Sequence, residues 1–295
     1  MRYRLPKGKT QYLPQAMAIL EALREMPLSH FGRGRRHPID IYATVLRDVL
    51  SNLDDLLDLV EVGRQEQPYL PGNQPNNWSK KLIRQLDHAA DSTVQFFDAC
   101  RAIILCCFDI NDERRFKKVV RRFNTTVRPH TDRISTIVNL VKHNQRTLNL
   151  VYFHNPGVFV PGYFVEGVLE PEVVGPDPIV HAGANTAISL YREIPSLVCA
   201  IYFVSACMAN EVSAATGVRP AEEFEVSEKL EEALLSVLKK SSLLPLEFFP
   251  DEIKMPLPFI RYYLKTGETR PVIELEMPSS RRKPRAPENC RVTAL

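Results

Sequence analysis

From residue 39 to residue 146 apolar side chains return every third or fourth position, and from Leu148 onward they return every second, in short runs. This change of period constrains the fold more than any other feature of the chain. A repeat near 3.6 buries one stripe of a helix, and a repeat of two buries one face of a strand. The first half therefore reads as helices packed on helices, followed by a small sheet.

The helical half has clear joints. Residues 15–26 carry Met17, Ile19, Leu20 and Leu23 at helical spacing, before a loop at 27–37 that holds Arg33, Arg35 and Arg36. Residues 39–62 place Ile41, Val45, Val49, Leu53, Leu56, Leu57 and Val60 on one side and Asp48, Asp54, Asp55 and Asp58 on the other, with Gly63 where a C-cap belongs. The run 67–77 is dense in Pro, Gly and Asn and is read as a loop, with Asn77 as the N-cap of a long helix over 78–110. A break at 111–113 precedes a helix over 114–123, and Pro129 separates that helix from another over 131–146. Five helices in about 150 residues suggest a bundle.

The strand-like runs are 148–153, 158–164 and 173–174, divided by Asn155-Pro156-Gly157, Pro161-Gly162 and Gly175-Pro176-Asp177-Pro178. Helix returns at 195–215 and 226–241, and 259–264 with 272–277 flank a five-residue turn as a hairpin. The fold class expected is mainly α, a helical bundle with a small antiparallel β arm and further helices, α+β overall. The breaks divide the chain into an N-terminal helix and basic loop (1–37), a bundle (38–147), a β-rich arm (148–192), C-terminal helices and hairpin (193–277) and a flexible basic tail (278–295) holding Arg281, Arg282, Lys283 and Arg285.

Composition narrows the function classes. With 44% hydrophobic residues in 295 the chain can build a core, and a formal charge of +3 implies a polyanion partner only if the cations cluster. The cysteines Cys100, Cys106, Cys107, Cys199, Cys207 and Cys290 form no CxxC pair, and the first five lie in apolar helical stretches, so they are expected to be reduced and buried. The charge-free run 194–210 falls short of the ~20 residues of a span and reads as a buried core helix. With no signal-peptide pattern before Pro14, the expectation is a cytoplasmic protein without a membrane partner. Walker, GxGxxG and GxSxG motifs are absent, and His154, Asp177 and His181 lack metal-site spacing, so no cofactor and no metal are expected.

Two helices carry candidate chemistry. Between 114 and 122, Arg114, Arg115, Lys117, Lys118, Arg121 and Arg122 surround Phe116, Val119 and Val120 and lead to Phe123: six cations in nine residues. Such a patch would bind nucleic acid in a salt-dependent, sequence-blind way, and the competing reading pairs it with the aspartates of 39–62. Along 131–146, Asp132, Thr136, Asn139, Lys142, His143 and Arg146 lie on the polar side. They bring amide, ammonium, imidazole and guanidinium together, the groups needed to hold a phosphodiester and move a proton near neutral pH. Lys142, His143 and Arg146 also complement the negative end of a helix dipole.

The segment Val138-Asn139-Leu140-Val141-Lys142-His143 resembles the motif of HEPN domains, helical bundles that often form RNA-cleaving dimers: Arg-Asn, three residues, then His. Asn139 and His143 fall on the Asn and His positions, and Val138 stands where the family has Arg. The resemblance spans about 39–149 and implies a ribonuclease-like site at Asn139 and His143 with Lys142 and Arg146 beside it, self-association, and a setting in prokaryotic defence or stress response. The expected partners are thus nucleic acid and a second copy. The rival expectation is a non-catalytic scaffold that binds another protein through the same stripe.

Overall fold

The computed structural model describes residues 2–4, 12–66, 77–109, 111–155, 158–181, 187–222, 224–249, 252, 259–264 and 271–276. In chain order they form β1 (Arg2–Arg4), α1 (Ala16–Glu21), a 3-10 turn (Phe31–Arg33), α2 (Pro38–Glu66), α3 (Trp78–Cys106), α4 (Glu113–His143), β2 (Leu148–Asn155), β3 (Val158–Glu170), β4 (Val173–Pro176), β5 (Ile188–Ser189), α5 (Leu190–Thr216), α6 (Glu228–Ser242), β6 (Phe259–Leu264) and β7 (Pro271–Glu276). The protein is mainly helical, with a small antiparallel sheet, and belongs to the α+β class. The loop at 67–76, the turn at 265–270, the tail at 278–295 and Cys290 lie outside the described residues.

Helices α2, α3, α4 and α5 run alternately up and down. Gln85 Nε2 donates to the Asn52 carbonyl at 3.0 Å and Trp78 Nε1 to that of Leu59 at 2.8 Å, which sets α3 antiparallel to α2. Arg101 Nε donates to Asn124 Oδ1 at 2.8 Å and Lys142 pairs with Asp91, which sets α4 antiparallel to α3. Helix α5 is apolar nearly all round, as a helix must be when other elements cover every side. Seventeen of its twenty-seven residues are buried. It is long and apolar enough to cross a membrane by length and composition, and 67% of that apolar window is buried inside the protein. At its middle Ser205 Oγ donates its one proton to the Ile201 carbonyl at 2.7 Å, so Tyr42 Oη in α2 is the donor in the 2.6 Å bond between the two hydroxyls. Helix α6 lies along α2, where Lys240 Nζ reaches Asp54 and Asp58 at 3.0 and 2.6 Å.

β2 and β4 pair with β3 on its two sides, all antiparallel, and β5 adds a short pairing beside Gly162 and Tyr163. A second sheet has the order β1-β7-β6, so the hairpin expected near the C-terminus forms and the N-terminal strand completes it.

Four joints differ from the sequence reading, each because tertiary packing overrides a local signal. Pro129 lies inside one continuous helix of 31 residues. Its missing N–H leaves the Thr125 carbonyl without its helical donor, yet Val127 and Thr131 on either side are buried and hold the helix together. Gly63 is inside α2 and does not end it. A methyl there would run into the Trp78 ring, so the glycine makes room for the indole. Pro161-Gly162 continues β3, where both residues are paired with β2, and the glycine is needed there because a side chain would strike Phe249 and the Ile188 carbonyl. Helix α5 starts at Leu190, five residues before Pro195.

The loop before α2 serves the end of α3. Ser29 donates its hydroxyl proton to the Phe108 carbonyl at 2.5 Å and its backbone N–H to that of Cys106 at 3.2 Å, and Arg33 Nη2 donates to those of Phe108 and Asp109 at 3.4 and 3.1 Å. The Cys106 carbonyl is one that the end of α3 leaves without a donor inside the helix, and those of Phe108 and Asp109 belong to the turn just beyond it.

Gly63→Ala should lose about 1–3 kcal/mol of stability, since overpacking outweighs the better helix propensity of alanine. The chain has one tryptophan. Urea unfolding followed by its fluorescence should therefore report both the lower midpoint and a shifted native emission, whereas Gly217→Ala, strained at φ +74° with open space around it, should shift the midpoint alone.

Candidate nucleic-acid interface

Helix α4 carries nine Lys or Arg residues against two acids, Glu113 and Asp132, in a chain whose overall excess is only +3. The local excess on this one element is thus larger than that of the whole chain. Its buried stripe is Phe123, Val127, Thr131, Ile134, Ile137, Val138 and Leu140, at spacings that keep one side against α3 and α5. Phe116, Val119 and Val120 are partly buried and pack against the same core. The charged side chains are left on the outer surface.

The cations divide into those that face acids and those that do not. Arg122 makes a two-pronged pair with Glu211 of α5, its Nε donating at 2.7 Å. Lys117 Nζ lies 2.9 Å from Glu113, and Arg115 sits 3.9 Å from Asp112 with its guanidinium 5.6 Å above the Phe108 ring. Arg114, Lys118 and Arg121 are exposed and have no acidic partner among the described residues. Asp54 and Asp58 of α2 do not neutralise this face, because they are engaged by Lys240 from α6.

A groove of about 500 Å³ runs beside this face, lined by Arg101 of α3 and by Lys117, Arg121, Asn124, Arg128 and Asp132 of α4, with Phe116 and Val120 among its apolar wall residues. Sequence periodicity pointed to Arg121 here but gave no reason to single out Arg101 or Arg128. Arg101 belongs to another helix, and only the antiparallel pairing of α3 with α4 brings it opposite Asn124.

The second set of candidates does not assemble. Asn139 and His143 are exposed and lie one turn apart, but Lys142 is drawn to Asp91. Helix α4 ends at His143, so Arg146 leaves the expected stripe; its Nε lies 3.3 Å from Oδ2 of the buried Asp177. Val138, at the position of the family's arginine, is 4% exposed and faces the core. Among the described residues no thiol replaces these groups, because burial raises Cys100 and Cys106 and pushes Cys107 and Cys199 up to about 12 and Cys207 up to about 11. His181 and Asp177 are buried, the side chain of His154 lies outside the described residues, and no cluster of three metal-ligating side chains exists among the described residues.

Beneath the interface a polar network fixes α4 in place. Arg133 pairs with Glu193 of α5, whose side chain is fully buried, and Tyr163 Oη of β3 donates to the same carboxylate at 3.2 Å. Burial, with the adjacent Glu193 charge, holds the Tyr163 phenol well above its ordinary range, so it remains a donor. Nearby, His181 Nε2 accepts the Val165 N–H at 2.9 Å. Burial, together with the charge of Arg133, lowers His181 to about 4 from 6.5, against the opposing pull of Asp177.

No family model, no curated protein and no solved structure matches the chain.

Removing the two partners of the buried pair should have unequal effects. Arg133→Ala leaves a carboxylate with no access to water and should cost about 3–5 kcal/mol, while Glu193→Gln frees an arginine already 41% exposed and should cost about 1–2 kcal/mol by urea unfolding. The histidine gives a pH signature. A base whose folded pKa is depressed contributes stability that is complete above its unfolded pKa and is lost as pH falls toward the folded one. The loss due to His181 should therefore develop between 6.5 and 4 and reach on the order of 3 kcal/mol at pH 4. His181→Gln, which keeps an acceptor for Val165, should flatten that part of the curve; an unchanged slope would assign the acid loss to other groups.

Proposed function

We propose that the protein binds the phosphate backbone of nucleic acid along the exposed face of α4. Arg114, Lys118 and Arg121 supply the uncompensated charge, and Arg115, Lys117 and Arg122 surround it. The observation that carries this reading is the unpaired state of those three cations among the described residues, on a helix where acids are scarce. A fixed excess of positive charge on one rigid surface attracts polyanions through counterion release, without reading sequence.

Cleavage of RNA, the activity that the HEPN resemblance implies, is a narrower reading. In it Asn139 and His143 would face a phosphate supported by groups from a second copy, because within one chain Arg146 is turned to Asp177 and Val138 to the core. A scaffold role is the second reading, favoured by the β arm, where Val168, Val174 and Ile179 are 59%, 61% and 69% exposed.

Binding titrations at two salt concentrations separate these readings. Charge reversal at Arg114, Lys118 and Arg121 together should abolish binding, and each single reversal should lower the salt slope by about one. His143→Ala should leave affinity within a few-fold, since one exposed imidazole adds little to phosphate binding, and should remove any strand scission seen on a gel. If the triple reversal leaves affinity untouched, the α4 reading fails and the scaffold reading takes its place.

A further inference from the structure

We infer that the groove beside α4 seats single-stranded nucleic acid, with a base laid on Phe116 and neighbouring phosphates held by Lys117, Arg121 and Arg128; this rests on the nucleic-acid reading above. A duplex displays phosphates and hides the faces of its bases in the stack. A surface for duplex alone gains nothing from apolar atoms between its cations. Here Phe116 and Val120 line the groove together with Lys117, Arg121, Arg128 and Arg101. A single strand offers both a charged backbone and open π faces, and groove-plus-aromatic surfaces match that pair of properties.

The geometry is preorganised. The Phe116 ring packs against Phe108 with centroids 6.0 Å apart and planes at 59°, so its position is fixed by the core. Along the helix Lys117 and Arg121 are separated by a rise of about 6 Å, and Arg121 and Arg128 by about 10 Å, so the cations form a row along the groove. Lys117 and Arg128 are paired with Glu113 and Asp132, but all four side chains are more than half exposed. Exposed pairs of this kind are worth little, and a phosphate can displace them. Asn124 accepts from Arg101 through Oδ1, which leaves its NH₂ donors unspent in that bond.

The test uses the full chain and fluorescence anisotropy with a labelled twelve-nucleotide RNA, its DNA counterpart and the blunt duplex of the same sequence. Single strands should bind at least tenfold more tightly than duplex. Phe116→Leu, which keeps apolar packing, should weaken single-strand binding about tenfold or more with an unchanged salt slope, and Phe116→Tyr should restore it. Lys117→Glu and Arg128→Glu should weaken single-strand binding and lower the slope. Equal affinity for strand and duplex, with Phe116→Leu indifferent, overturns this inference and leaves the electrostatic α4 face intact; absence of binding to every probe overturns both. Should Phe116→Leu melt several degrees below the wild type, photocrosslinking of the wild-type protein to a 4-thiouridine strand decides instead. A crosslink within residues 113–121 supports the inference, and one confined to other regions overturns it.

Discussion

The placement of α4 depends on a carboxylate that has no contact with solvent. Glu193 lies in the first turns of the most buried helix, and its charge is tolerable only because a guanidinium from α4 and a phenol from β3 converge on it. Such an arrangement is costly to assemble, since the desolvation of the acid consumes most of what the pairing returns. Its value lies in geometry. One side chain of α5 fixes the rotation of α4 and the height of β3 at once, so the buried stripe from Phe123 to Leu140 faces inward and the unpaired cations face out.

The helices were legible because their apolar repeat is strong. Leu46, Val49, Leu53, Leu56 and Val60 of α2 recur at three or four residues, and each is buried. The inward turn of Phe123 could be read in the same way, and the burial of Cys100, Cys106 and Cys199 followed from their apolar neighbours. What could not be read were effects that begin in one element and act in another. Gly63 has the local appearance of a helix end, and its reason for being glycine is an indole fifteen positions later. Pro129 has the local appearance of a break, and the residues that carry the helix past it are secured by α3 and α5.

The candidate site shows the same division. A dense run of cations is visible in one dimension, but which of them meet acids is not, because Glu211 lies 89 positions from Arg122. The aspartates of α2 were the obvious counterions by composition, and two of them, Asp54 and Asp58, are engaged by α6. The Asn139 to His143 spacing is helical and exposed as expected, whereas the partners proposed for it lie elsewhere once the helix ends at His143. A motif of a few residues specifies neighbours along one helix only, and a reacting centre needs neighbours across several.

Pro129 acquires a mechanical meaning from the two ion pairs around it. Arg122 and Arg133 bind α4 to α5 on either side of the proline, so the helix resembles a beam resting on two supports with its weakest section between them. Asn124, Thr125, Arg128 and Asp132, all on the wall of the groove, belong to that section, and Val127 and Thr131 within it rest on the core. The hydrogen bond that Pro129 removes is therefore missing where the helix is held at both ends and from beneath, so the wall of the groove keeps its line across the proline.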